Sequence, residues 1–277
     1  MTSSNAFGGS GQDQLDPFDT GDANIWRKAE YLGRYLFAAD FLMLHLPRAA
    51  NGNSQIADQR AADKRTVADI SCGMGYGTDV LGDIAESVVG VDSSRDMIEK
   101  AIERCNIRRP GARFLRKDLD SEDLFPDIEE NSVDAVVSFE TLEHLVDPNR
   151  AASQFSRILK KNGFLICSVP NVLSESGDGC GLPRNKGHKQ WFSFASLCRM
   201  LQACGFQVIY RLGQSKSRAL FRREQQMIHA KRISHKICEE PIMHTPEMIR
   251  WLAYVAAYPT VEDADGSYSL IVVAQKK

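Results

Sequence analysis

Two groups of residues in this 277-residue chain have the types and spacing to do chemistry. The first is Asp69-Ile70-Ser71-Cys72-Gly73-Met74-Gly75-Tyr76-Gly77, followed by Asp92 at the end of the next apolar run. Three glycines at alternate positions allow tight turns and leave no Cβ to block a ligand. Asp92 lies 19 residues past Gly73, where a nucleotide-binding α/β sheet places an acid on ribose hydroxyls. The second group is Glu140, Glu143 and His144, directly after a run of apolar residues, with His188 farther on in Asn185-Lys186-Gly187-His188-Lys189-Gln190. On a helix, positions i, i+3 and i+4 share a face, so two carboxylates and an imidazole would converge. Such a set can remove a proton from a hydroxyl or amine, through His144 or His188. With all four residues it can instead hold a divalent cation such as Mg²⁺ or Mn²⁺. A third reading makes Glu140 a helix-start acid and His144 a hydrogen-bonded structural histidine.

The elements that must position these residues are legible from hydrophobic period. Residues 66–71, 88–92, 113–117, 133–139 and 163–169 read as short buried strands, and 206–212 and 268–274 as the last two. Helices alternate with the first six, which implies a parallel sheet with crossovers. Ser93 or Ser94 caps a helix turning Met97, Ile98, Ala101 and Ile102 inward, and Ser193 caps another that Gly205 ends. The fold class expected is therefore α/β: a Rossmann-like, mostly parallel seven-stranded sheet with helices on both faces. Strand four leaves the sheet beside strand one, at the topological switch point where ligands sit in such sheets.

Trp26, Tyr31, Leu32, Tyr35, Leu36, Ala39, Phe41, Leu42 and Leu44 recur at helical spacing, predicting an amphipathic helix over 25–46. Residues 1–22, rich in Ser, Gly, Asn and Asp, read as a disordered tail ahead of one domain over 23–277. Residues 48–65 read as a polar connection. Residues 215–266 read as a helical insertion before the last strand: a basic first half, then an apolar helix with Trp251, Tyr254 and Tyr258. Placed over the sheet's carboxyl edge, it could be a lid that walls a pocket, a surface-burying helix pair or a dimer contact.

Composition excludes several function classes. Hydrophobic content of 43% and charged content of 25% are those of a globular protein. The net charge of −2 gives no general reason to expect nucleic acid or an anionic membrane as partner. Seven cysteines form no Cys-x-x-Cys pair, so a zinc knot is not indicated, and their scatter suits reduced thiols in a cytoplasmic protein. No apolar run is long enough to span a bilayer and no signal peptide is evident.

The dinucleotide signature fails, because Thr78 stands where its third glycine belongs. The pattern acid-x-x-x-Gly-x-Gly-x-Gly from Asp69 to Gly77 instead resembles the class I S-adenosylmethionine-dependent methyltransferases. That resemblance implies that Asp92 binds the cofactor's ribose and that Asp118, after strand three, lies near its adenine. It also implies that Arg34, on the leader helix, reaches the methionine carboxylate, and that the last strand of the sheet is antiparallel. The cofactor set expected is Arg34, Asp69, Ser71, Gly73, Gly75, Asp92, Ser93, Asp118, Leu119 and Phe139. The acceptor implied is a hydroxyl or amine of a small molecule: a sugar, quinone or secondary metabolite. The Glu-x-x-Glu-His pattern with a later His also resembles metal-dependent quinone O-methyltransferases and small-RNA 2′-O-methyltransferases, although a paired His-x-x-His expected of the RNA enzymes is lacking. A non-catalytic cofactor-binding regulatory protein is the alternative of another class, and a homo-oligomer is compatible with the sequence.

Overall fold

A computed structural model describes residues 16–18, 25–46, 65–121, 125–175, 185–215, 218–232, 234, 244–262 and 264–277. The elements run α1 (Ile25–His45), β1 (Thr66–Ile70), α2 (Tyr76–Leu81), β2 (Ser87–Asp92), α3 (Arg95–Cys105), β3 (Ala112–Arg116) and β4 (Val133–Phe139). They continue with a 3-10 turn (Leu142–His144), α4 (Pro148–Ile158), β5 (Leu159–Pro170), α5 (Val172–Glu175), α6 (Phe194–Ala203), β6 (Phe206–Gln214), α7 (Arg218–His229), α8 (Pro246–Ala256) and β7 (Ser269–Lys276). The strands form one sheet in the order β3-β2-β1-β4-β5-β7-β6. β1 pairs in parallel with β2 and β4, while β7 is antiparallel to both β5 and β6. The expected sheet is thus the observed one. Chain direction between β1 and β4 reverses the order of connection, so the carboxyl ends of these two strands open a crevice.

The central strands are apolar on both faces because helices cover both. Val67, Ala135, Val137, Ile166 and Val273 pack under α1 and α8. Ala68, Val136, Leu165, Cys167 and Val272 pack under the layer of α4 and α6. α4 begins at Pro148 behind Asp147, whose side chain accepts from the Arg150 N–H, and α6 begins at a capping box between Ser193 and Ser196. Ser94, not Ser93, caps α3 through the Met97 N–H. Met97, Ile98, Ala101 and Cys105 of α3 are buried, whereas Ile102, expected to face inward, is 48% exposed. It falls off the edge of the arc that those four residues define.

Of the expected tail, only residues 16–18 belong to the described set. Phe18 packs against the core under α1, and Asp16 pairs with Arg104. The expected connection 48–65 lies outside the described residues except for Arg65. Among the described residues no helix is long and apolar enough to cross a membrane.

α8 lies on α1. Ile249, Leu252, Ala253 and Ala256 are buried there, and the Tyr258 hydroxyl donates to Asp40 at 2.9 Å. Trp251 and Tyr254 are 46% and 43% exposed. The face of α1 that meets α8 includes Gly33 and Phe37. The residues of α1 that border the crevice are Arg27, Glu30, Tyr31, Arg34 and Tyr35.

Candidate functional site

The crevice encloses about 1220 Å³. That exceeds the ~300–1,000 Å³ usual for a single small ligand, so two ligands fit side by side. Its floor is the carboxyl edge of β1, β2 and β4; its roof is α1.

The chain leaves both central strands through a non-glycine residue in the left-handed region. Ser71 follows β1 with φ 63°, and Glu140 follows β4 with φ 49°. Such conformations cost ~1–3 kcal/mol each and persist only where the surroundings impose them. For Glu140 the surroundings are explicit. Its N–H donates to the Ser168 carbonyl at 3.0 Å. Its Oε1 accepts from the Ser168 hydroxyl and the Ser269 hydroxyl, each at 2.7 Å, and lies 3.1 Å from Arg34 Nη1. Arg34 is only 4% exposed. Burial is the largest influence and opposes its charge, but Glu140 together with Tyr76, Tyr31 and Glu30 outweighs it, so its pKa is raised and the guanidinium stays protonated. Arg34 Nε, also buried, has no hydrogen-bond partner among the described residues.

The glycine loop is organised by the two aspartates that flank it. Asp92 Oδ2 accepts the Gly73 N–H and Asp92 Oδ1 accepts the Ser94 N–H, both at 2.9 Å. Each oxygen retains acceptor capacity beyond these bonds, and Asp92 borders the crevice. Asp69 is fully buried and is not part of the crevice wall. Its oxygens accept from the Tyr35 hydroxyl at 3.0 Å and the Thr78 hydroxyl at 2.7 Å. Burial raises its pKa to about 6 against these bonds. Burial and the same carboxylate push the Tyr35 hydroxyl well above the ordinary phenol range. The Tyr35 ring fits only because Gly77 lacks a Cβ, which would lie 2.1 Å from ring carbons.

The sequence-predicted residues divide cleanly. Arg34, Ser71, Gly73, Asp92, Ser93, Asp118, Leu119, Phe139, Glu140, Glu143, His144 and His188 border one crevice. Asp69 and Gly75 do not. Gly75 has φ 79°, and a Cβ there would meet Ala101 of α3 at 2.8 Å, whereas a Cβ on Gly73 meets nothing within 4 Å. Gly75 therefore serves the docking of the loop on α3, and Gly73 is the glycine that keeps space open to the crevice. Among the described residues the wall includes none from α7 or α8, so the aromatic residues of α8 do not form the pocket side expected of them.

Beyond β4, Glu143, His144 and His188 offer ligand atoms within 4.8 Å of one another. Glu140 is not in this cluster, since Oε1 is committed to the knot with Arg34, Ser168 and Ser269. The four-residue cation set is thus reduced to three. The local backbone agrees: only Leu142–His144 form a 3-10 turn, and Glu140 precedes it, so no α-helix aligns i, i+3 and i+4. Glu143 is buried, with Oε1 3.8 Å from His144 Nε2. His144 Nδ1 lies 3.2 Å from the Gly187 carbonyl, which assigns the proton to Nδ1 and leaves Nε2 an acceptor. The His188 ring stands edge-on to His144 with centroids 4.8 Å apart, and its Nε2 accepts from Asn185 Nδ2 at 2.9 Å.

Sequence reasoning missed Tyr31, Asp120 and Tyr268, which also border the crevice. It missed Ser168 and Ser269 as well, although a hydroxyl inside a buried strand was a readable signal. Burial and then the nearby Glu140 charge push the Tyr268 phenol up to about 12.

A family model described as a methyltransferase domain matches residues 37–211. A Mycolicibacterium smegmatis protein named a "probable S-adenosylmethionine-dependent methyltransferase" is 29% identical over 236 residues, covering 79% of this chain and 86% of that one. The ubiquinone biosynthesis O-methyltransferase of Methylococcus capsulatus is 30% identical over 107 residues, covering 39% of this chain and 44% of that relative, less than half its length. A solved structure of a SAM-dependent methyltransferase from Aquifex aeolicus superposes with a TM-score of 0.52 at 14% identity, covering 95% of this chain and all of that one, and shares the fold.

Two outcomes follow from the loop. Between an unfolded pKa of 3.8 and a folded value of about 6, the native chain holds a proton on Asp69 that the unfolded chain has lost. Stability from this group is therefore full below the lower value and is lost as pH rises through the upper one, by on the order of 3 kcal/mol. Urea melts of Asp69→Asn against wild type at pH 4 to 7 should show the variant gaining relative stability with pH; a constant difference would refute the burial argument. Gly75→Val should lower the melting temperature by a cost above ~1 kcal/mol, because it strains the backbone and strikes Ala101, so a variant with wild-type melting would contradict this placement.

Proposed function

The chain belongs to the class I S-adenosylmethionine-dependent methyltransferases, and from that premise we propose that it methylates a hydroxyl, or an amine, of a small molecule such as a sugar, quinone or secondary metabolite. The observation that carries the reading is the convergence of Glu143, His144 and His188 on the crevice that also holds Asp92 and Asp118. The name of the Methylococcus relative, an O-methyltransferase of ubiquinone biosynthesis, supports the acceptor class.

The residues present fit the cofactor. Arg34 Nε is a buried donor without a partner among the described residues, suited to a carboxylate. Asp92 would take ribose hydroxyls on its remaining lone pairs, Asp118 and Leu119 would border the adenine, and the open side of Gly73 leaves room for the chain between. Bound, S-adenosylmethionine supplies a methyl group already activated by a sulfonium. What remains for the protein is alignment and removal of the acceptor's proton. His144 is prepared for that: the Gly187 carbonyl holds the Nδ1 proton, so Nε2 accepts. The buried Glu143 carboxylate, 3.8 Å away, would stabilise the imidazolium that forms.

The same three side chains support a second reading, a divalent cation that orients acceptor oxygens. A carbonyl on the far nitrogen of His144 is the support a ligating imidazole ordinarily has. Two imidazoles and one carboxylate suit Mn²⁺ better than Mg²⁺, which prefers oxygen.

Labelled S-adenosylmethionine incubated with fractionated extracts, with and without ribonuclease, tests the acceptor class. Label in a ribonuclease-resistant small molecule is expected; label that ribonuclease releases would overturn it. Proton transfer by His144 predicts a chelator-resistant rate that falls at least a hundredfold, roughly, in His144→Gln. Loss of activity in chelator with recovery in Mn²⁺ would select the cation instead. Asp92→Ala should weaken cofactor binding about tenfold to a hundredfold, the worth of a charge-assisted pair. Calorimetry measures it, and unchanged affinity would refute the ribose assignment.

A further inference from the structure

We propose that Lys189 is a positioning residue: its ion pair with Asp120 latches segment 185–190, and with it the His144 imidazole, to the loop that borders the cofactor. The inference rests on the reading of His144 given above.

Segment 185–190 has no helix or strand to hold it, so its place depends on individual bonds. The N–H groups of Lys189 and Gln190 both donate to the Glu143 carbonyl, at 2.7 and 3.1 Å. Gln190 Nε2 donates to the Leu145 and Val146 carbonyls at 3.3 Å. The Gly187 carbonyl accepts from His144 Nδ1 at 3.2 Å. Within the segment, Asn185 accepts the Gly187 N–H and donates to His188. The outward bonds from the Lys189 and Gln190 N–H groups, Gln190 Nε2 and the Gly187 carbonyl lead to the same short stretch, 143–146. They join the segment to that turn but fix neither against the cofactor half of the crevice.

Asp120 supplies such a link. Its Oδ1 accepts the Val146 N–H at 2.8 Å, and its Oδ2 accepts from Lys189 Nζ at 3.0 Å. Its own N–H donates to Asp118 Oδ1 at 2.9 Å, and its carbonyl accepts from Arg150 at 2.7 Å. One carboxylate thus grips the turn with one oxygen and the segment with the other, two residues from Asp118. Partial burial works against its charge, yet the bonds from Lys189 and Val146 hold it below the ordinary carboxylate range. A Lys189 side chain 48% exposed adds little to overall stability. Its value is geometric, because a displacement of about 1 Å at a reacting group can cost about a hundredfold in rate.

The test uses the full chain saturated with S-adenosylhomocysteine and labelled with ¹⁵N-histidine. In wild type, His144 should give the single Nδ1-protonated tautomer. Lys189→Met, with its melting temperature unchanged, should show averaging between tautomers, and Lys189→Arg should restore one. Salt near ~1 M should move wild type toward the Lys189→Met spectrum and leave that variant unmoved. Methyl transfer to the labelled extract fraction should fall about tenfold in Lys189→Met, with cofactor affinity within about twofold of wild type. A Lys189→Met spectrum that superimposes on wild type overturns the latch. Full activity of His144→Gln beside a disturbed Lys189→Met spectrum overturns the reading of His144 and leaves the latch standing as a structural coupling.

Discussion

A charged guanidinium buried between a helix and the edge of a sheet is the constraint on which this molecule turns. Arg34 sits on α1 with 4% of its surface exposed, and a carboxylate delivered to the same place is the largest of the groups that support its charge there. Glu140 delivers it, at 3.1 Å, from the first residue past β4. The acid is itself held by hydroxyls of β5 and β7, so one oxygen ties α1 to three strands. Removing one partner of such a pair would leave an uncompensated charge, at a cost of ~3–5 kcal/mol. The left-handed backbone at Glu140 is the local strain that this arrangement imposes. A second pin, Tyr35 to Asp69, fixes the roof over the end of β1. The crevice is the space these two pins leave.

The two aspartates of the loop show how environment divides labour between identical groups. Asp92 takes backbone N–H groups from Gly73 and Ser94 and lines the crevice. Asp69 takes hydroxyls, is wholly buried and has its pKa raised by desolvation. Backbone donors solvate a carboxylate and keep it useful as an anion for a ligand; a desolvated acid with two hydroxyl donors is better suited to holding a helix in place.

The parts of this structure that were legible in the sequence are those governed by local period. Seven strands, the glycine loop and the capped helices appear because apolar runs of strand length alternate with helical patterns and turn residues. What was illegible depends on partners far away in the chain. Glu140 looked chemical because it opens Glu-x-x-Glu-His, but Ser269, 129 positions later, shares in taking its Oε1 out of that role. Gly73 and Gly75 are two residues apart in one motif and look equivalent. Ala101 of α3 decides that one of them faces a helix and the other the crevice. The aromatic residues of α8 suggested a pocket wall, yet the helix buries its small and aliphatic side against another face of α1. Binary pattern says that a face is buried, not what it is buried against.

The crevice therefore has two halves of different construction. On the proposed reading, the cofactor half rests on β1, β2, β3 and the loops that leave them, all within about sixty residues and braced by sheet pairing. The acceptor half rests on a 3-10 turn and on segment 185–190, joined by single hydrogen bonds and one exposed ion pair. Elements held by sheet pairing tolerate few substitutions, because strand register and core packing depend on them. Elements held by individual bonds can change without disturbing the fold, and loops at the carboxyl edge are where α/β proteins vary their chemistry. A protein built this way can keep one methyl donor while its acceptor half is rewritten. That division explains why the fold and the cofactor loop identify the family so readily, whereas the proposed acceptor side is the edge where Lys189, His144 and His188 meet.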